Sequence, residues 1–195
     1  MKKLLVLSSI LLFCQCVPKQ SEHVSKDNEP IMNTIIGFLK WHKKGGGYKS
    51  GEYYFVIRHD GSGKLKNYFD RDSISLYYNN FRKSGFVSEQ YIGELKRYYD
   101  YHEQFLPGQL KKGELVKIDG LDKDDVLNTF EPEAILDNLD KAKITQSLVI
   151  YNKALIGITF KQDVKMVFQL SKMNNKWVID YVGADNTDEN SFFRQ

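Results

Sequence analysis

An α+β fold, helices first and an antiparallel sheet last, is predicted by two changes of pattern along this chain of 195 residues. From about residue 30 to 105, apolar side chains recur every three or four positions between capping residues and glycines, which is the period of helices packed on one face. From Ile144 onward they alternate with polar ones over short runs separated by tight turns, which is the period of half-buried strands. Segregation of helices from a strand meander places the helices on one face of a curved sheet.

The chain opens MKKLLVLSSILLFCQC. Lys2 and Lys3 precede a ten-residue apolar run, Leu4 to Phe13. A helix that crosses a bilayer needs about 20 residues, so this run suits the core of a secretory signal instead. Cys14 and Cys16 close it and are the chain's two cysteines. The arrangement resembles a bacterial lipoprotein signal, in which the cysteine after the apolar run is lipidated and becomes the new N-terminus. Cys16 is preferred because it leaves the run intact and is followed at once by a polar segment; Cys14 is the alternative. The organisation that follows is a signal over 1–15, a flexible tether over 16–29, one domain over 30–184 and a polar tail over 185–195. A domain of that size can bury roughly 70% of its unfolded surface. The absence of further cysteines fits an exported domain that folds without disulfides.

The first helix begins near Pro30, with Asn28 as its cap, and carries Ile31, Ile35, Phe38, Leu39 and His42 on one face. Gly45-Gly46-Gly47 stops it at Lys44. Glu52 to His59 reads as a strand, Asp60 to Gly63 as a turn, and Lys64 to Phe69 as a return strand. Asp72 or Ser73 then caps a helix presenting Ile74, Tyr77, Tyr78 and Phe81, ended by a left-handed Gly85. Ser88 caps the next, with Tyr91, Leu95, Tyr98, His102 and Phe105 inward and Pro107-Gly108 as its stop. A short helix is expected over Glu133 to Leu139. Four strands follow, at Ile144–Tyr151, Ala154–Phe160, Val164–Ser171 and Trp177–Val182. Their inward set is Ile144, Leu148, Ile150, Val164, Met166, Phe168, Leu170, Trp177 and Ile179, with Asp180 outward. Asn174-Asn175 suits a two-residue hairpin, since asparagine tolerates positive φ.

An aromatic first helix (FLKWHKK), the junction SGFVSEQYI between two helices, the acidic loop DGLDKDDVL and the closing strands VFQLSKMNNKWVIDYV occur in that order. Over residues 31 to 183 this is similar to small exported domains of unknown function in the nuclear transport factor 2-like superfamily, of the Bacteroidetes lipoprotein type. The resemblance implies a cone-shaped fold with a cavity between helices and sheet, in a membrane-anchored envelope lipoprotein on either the periplasmic or the surface face. It implies no single activity, because the fold hosts isomerases, dehydratases, binding domains and scaffolds. The segment EYYFVIRHDGSGKLKNYF is an insertion relative to that pattern.

The charge excludes one class. There are 28 basic and 25 acidic residues, 26 and 25 once Lys2 and Lys3 are removed. No basic stripe marks a nucleic-acid partner. His23, His42, His59 and His102 have no metal-ligand spacing, and no metal or cofactor is expected. The acidic loop lacks the alternating oxygens and closing Glu of a calcium loop; Asp122 or Asp124 as a helix N-cap ahead of Val126 and Leu127 accounts for it better. His42 and His102 both fall on apolar helix faces and are the candidates for a base, or for packing, in the cone. Tyr98 and Tyr99, with Tyr101, Tyr53 and Tyr54, are candidates to line a cavity or stack on a sugar. Inward strand positions carry no carboxylate. The expectation is therefore a non-catalytic binding or accessory module that engages a small ligand, a glycan or a protein. An isomerase or lyase using a histidine in the cone is the rival, and an immunity-type inhibitor of a partner enzyme is a third reading.

Overall fold

The computed structural model describes residues 26–46, 55–59, 65–69, 71–105, 123–161 and 164–184. Helix α1 (Asn28–Lys43) buries the predicted face of Ile31, Ile35, Phe38, Leu39 and His42. It begins two residues earlier than the proline suggests. Asn28 is inside it, Asp27 is the N-terminal flanking residue, and no side chain caps it. Residues 28 and 29, which the sequence reading sets ahead of the domain, are helical. Gly45 takes the left-handed conformation just past the helix, as its place in the sequence predicts.

Strands β1 (Phe55–His59) and β2 (Leu65–Phe69) pair antiparallel, from Phe55 opposite Phe69 to His59 opposite Leu65. They form a two-stranded sheet of their own. Tyr53, Tyr54 and the turn at residues 60–63 lie outside the described residues, as do His23, Pro107-Gly108, Asp119, Asp122 and the segments 1–25 and 185–195.

Helix α2 (Arg71–Ser84) buries Ile74, Tyr77, Tyr78 and Phe81. It starts ahead of Asp72 and Ser73, so both lie in its first turn and neither is its cap. Gly85 follows at φ 71°. Helix α3 (Glu89–Glu103) is capped by Ser88, whose hydroxyl accepts the Tyr91 N–H at 3.3 Å. Its buried face is Tyr91, Ile92, Leu95 and Tyr99, with Tyr98 and His102 half-buried at the border. Phe105 lies past the helix end and is exposed. The expected inner face is thus turned by one position, for a reason given with the site below. Phe81, Phe38, Tyr91, Tyr77 and Tyr99 meet in a run of tilted and edge-on ring contacts at 4.8–6.4 Å that joins the three helices.

The junction between α2 and α3 closes one side of the sheet. The Ile179 N–H donates to the Phe86 carbonyl at 2.8 Å and the Ser88 N–H to the Ile179 carbonyl at 2.9 Å, a short parallel bridge along the edge of β6. This satisfies part of an edge that would otherwise offer unpaired backbone groups. Gly37, in the middle of α1, makes room for it, because a Cβ there would stand 2.6 Å from the Phe86 ring.

A four-residue helix α4 (Glu133–Leu136) and a 3₁₀ turn (Leu139–Lys141) replace the single helix expected over 133–139. The sheet then runs β3 (Lys143–Ile150), β4 (Lys153–Thr159), β5 (Lys165–Met173) and β6 (Lys176–Ala184), each antiparallel to the next in sequence. Asn174 and Asn175 both have positive φ, 49° and 61°, the signature of the tight hairpin that joins β5 to β6. Ala154, Ile156, Ile158, Met166, Phe168, Leu170, Trp177, Ile179 and Val182 form the sheet's contribution to the core.

Two bulges change which residues face that core. On β3, Ile144 pairs with Ile158 and Gln146 with the very next residue, Gly157, so Thr145 is an extra residue. Beyond it the alternation is reversed. Val149 packs inward, while Leu148 and Ile150 face solvent at 55% and 53% exposure, contrary to the sequence reading. On β6, Leu170 pairs with Ile179 and Gln169 with Tyr181, which makes Asp180 the extra residue. Asp180 does point away from the helices, as expected, yet it is buried there.

Candidate functional site

The polar groups that converge among the helices belong to the acidic loop. Asp124 closes that loop on itself: its N–H donates to the Thr129 carbonyl at 2.9 Å, and its Oδ1 accepts the N–H groups of Val126 and Leu127 at 3.0 and 2.7 Å. This is the capping role foreseen for it, made on a turn rather than a helix. Val126 and Leu127 are buried, and Asn128 at φ 53° turns the chain back. The remaining Asp124 oxygen, Oδ2, lies 2.7 Å from Nε2 of His42 on α1.

The neighbouring carboxylate enters the aromatic layer. Asp125 Oδ2 accepts the hydroxyls of Tyr77 from α2 and Tyr99 from α3, each at 2.6 Å. Buried phenols need a partner for the O–H, and this carboxylate supplies one to both. It also explains the turn of α3. Tyr98 and Tyr99 stand three and four residues after Leu95, so both fit a helical stripe, and the acceptor at Asp125 selects Tyr99.

The two carboxyls titrate in opposite senses. Burial would raise Asp124, but the His42 bond and the two loop amides outweigh it, and the carboxyl is held below its ordinary value. For Asp125 burial prevails over the two tyrosine hydroxyls and the carboxyl is pushed up. One loop thus carries an acid stabilised as the anion beside one that resists ionisation.

His42 and His102 do not make one site. His42 is buried, stacked on Phe38 and bound to Asp124. His102 is half-buried against the edges of Tyr98 and Tyr101, with ring centroids at 4.5 and 5.3 Å. Its pKa is lowered by burial first and by Lys123 second. What the two histidines share is the loop, since Lys123 and Asp124 are adjacent. With Nε2 donating to Asp124, the bare nitrogen of a neutral His42 is Nδ1, which is buried without a hydrogen-bond partner among the described residues. Such a nitrogen is a base in form. The residue is only 6% exposed, so the nitrogen is closed to a substrate in this conformation.

A second polar cluster lies on the opposite, outer face of the sheet. Ser171 donates to Asp180 Oδ2 in a short contact, and Lys153 Nζ lies 2.5 Å from Ser171 Oγ and 3.1 Å from the same Asp180 oxygen. A serine beside a lysine has the outline of a nucleophile and base, but that chemistry needs a neutral amine. Here Lys153 is 60% exposed and is tied to Asp180 as well as to Ser171, so it is not set aside as a partner for the hydroxyl alone. The cluster acts as a tie across β4, β5 and β6.

Sequence reading names His42, His102, Tyr98, Tyr99 and the acidic cluster of Asp119, Asp122, Asp124 and Asp125, but gives Asp125 and Tyr77 no shared role and does not bring Lys153, Ser171 and Asp180 together. The signal for Asp125 and Tyr77 was present: tyrosines on a helix face among Ile74 and Phe81 require a buried acceptor, and the acidic loop is rich in them. Among the described residues no group of three or more His, Cys, Asp or Glu side chains is arranged to hold a metal ion, and no helix is long and apolar enough to cross a membrane. Comparison with protein-family models, curated proteins and solved structures returns no match for this chain.

Proposed function

We propose that the protein is a lipid-anchored module of the bacterial cell envelope, built on a nuclear transport factor 2-like cone, that binds a partner and does not transform a substrate. The observation that carries the binding reading is how the converging polar groups are used. Asp124 serves two loop amides and His42, and Asp125 serves two tyrosines. These bonds fasten the loop to α1, α2 and α3, so the cluster works as a structural clamp. The anchor rests on the sequence, with Cys16 as the lipidated residue, because two or more acyl chains at about 0.8 kcal/mol per buried methylene give stable attachment.

Labelling cells with a fatty-acid probe tests the anchor. Label should appear in wild type and Cys14→Ala and vanish in Cys16→Ala; loss in Cys14→Ala alone moves the site to Cys14. The rival enzyme reading draws on the buried Nδ1 of His42, which has no hydrogen-bond partner among the described residues. A deletion strain complemented in full by His42→Gln supports the module. Failure of a His42→Gln protein that melts like wild type supports a catalytic base.

A further inference from the structure

Five large apolar side chains with high exposure gather at one place, the outer face and hairpin tips of the sheet. Tyr151 is 95% exposed in the β3–β4 turn, and Leu148, Ile150, Leu155 and Met173 are between 43% and 56% exposed beside it. Leu148 sits directly opposite Leu155 across β3 and β4, and Ile150 opposite Lys153. The two tips lie side by side, since the Lys172 N–H donates to the Asn152 carbonyl at 2.8 Å.

The domain begins at this same end. Asp27 accepts Lys172 Nζ at 2.9 Å, and that ammonium lies 5.4 Å from the centre of the Trp177 ring. Asn28 accepts the Ser147 hydroxyl at 2.8 Å, and the Thr34 hydroxyl donates to the Trp177 carbonyl at 3.3 Å. The first turns of α1 are thus fastened beside the tips. Ten residues, 17–26, separate Cys16 from Asp27. They reach at most about 33–36 Å. The chain coming from Cys16 therefore enters the domain at the tip end. The far end of β3, at Lys143, lies about 24 Å along the strand from Ile150.

We infer that the hairpin tips, led by Tyr151, Ile150 and Met173, rest on the lipid surface to which Cys16 tethers the chain. The inference rests on the anchored reading above. A tyrosine with flanking aliphatic side chains suits the boundary between acyl chains and headgroups, where its ring is wetted at one end. Lys26 and Lys176 border the patch beside the Lys153–Asp180 and Lys172–Asp27 pairs, and the long stems of Lys26 and Lys176 can lie along apolar surface with the ammonium among phosphates.

The test uses full-length protein in vesicles of phosphatidylcholine, with and without phosphatidylglycerol, carrying a quencher in the acyl region. An environment-sensitive fluorophore is placed on Tyr151→Cys or, as the far-end reference, on Lys143→Cys; label attaching at Cys14 or Cys16 marks unlipidated chains. Quenching at 151 and not at 143, abolished by Ile150→Glu with Met173→Glu while the protein still floats with the vesicles, is the expected result. Equal quenching at both sites overturns the inference. Emission at 151 that shifts only at high protein density, without lipid quenching, overturns it too and assigns the patch to a second copy. In a Cys14→Ala, Cys16→Ala chain, where position 151 carries the one label, quenching at 151 upholds the tip even though the anchor has been removed. There Ile150→Glu lowers the partition coefficient about ten-fold by removing one inserted aliphatic side chain. Wild type that never floats refutes tip and anchor together.

Discussion

Removing the Tyr77 hydroxyl should destabilise the domain only while Asp125 is present to receive it. The bond is 2.6 Å long and ends on a carboxyl oxygen that also accepts the Tyr99 hydroxyl. A hydrogen bond to a charged group contributes about 1.5–3 kcal/mol and a neutral one about 0.5–1.5 kcal/mol. Tyr77→Phe leaves the ring and its edge-on contacts with Phe81 and Tyr99 in place, so the loss is that of the hydroxyl alone. A cost of about 1–2 kcal/mol corresponds to a melting-point fall of roughly 2–8 °C for a domain of this size. In an Asp125→Leu background the hydroxyl has lost that acceptor, and the same substitution should cost almost nothing or restore stability. Denaturant melts of wild type, both single variants and the double variant give the coupling directly, and contact pairs of this kind show 0.5 kcal/mol or more, roughly. Independence of the two substitutions would show that the loop is held by Val126 and Leu127 packing and that the carboxyl is incidental.

The same loop should give stability a two-sided pH dependence. Asp124, held below its ordinary value of 3.8, contributes stability that is present above that value and is lost as pH falls through its folded-state pKa. Asp125, pushed above 3.8, contributes stability that is full below that value and is lost as pH rises through its folded-state pKa. Urea melts across the acid range should therefore show Asp124→Asn flattening the acid-side loss and Asp125→Asn flattening the decline on the other side; variants whose curves run parallel to wild type would contradict both. Trp177→Ala should cost about 3–5 kcal/mol, since the side chain is buried on the Phe168 and Met166 face, while exposed Lys176→Ala beside it melts like wild type.

How far the sequence carried the fold depended on whether a pattern was local. The α1 stripe from Ile31 to His42, the Gly85 stop, the Ser88 cap and the Asn174-Asn175 turn are each decided by residues within one or two turns of chain, and each stands where the sequence places it. Where one residue's position depends on a distant partner, local pattern misleads. Alternation assigns Leu148 and Ile150 to the core, yet one extra residue at Thr145 reverses every position after it, and an ordinary threonine in a strand carries no mark of a bulge. Tyr98 and Tyr99 satisfy the same helical period, and an acceptor 26 residues on from Tyr99 separates them. The His42–Asp124 pair spans 82 residues and has no spacing to be recognised by. The two errors on β3 and α3 also differ in consequence. The turn of α3 moved one tyrosine into the clamp and left its neighbour at the border, so the core gained a hydrogen bond without changing its outline. The bulge on β3 moved two aliphatic side chains from the core to the surface, beside Tyr151 and at the end where the chain begins. A bulge at that point costs the core two side chains that plain alternation would have supplied, and Val149 with Ile144 covers the same ground. What the reversal adds is an apolar outer face near Asp27 and the start of α1, and that is the feature the inferred lipid contact uses.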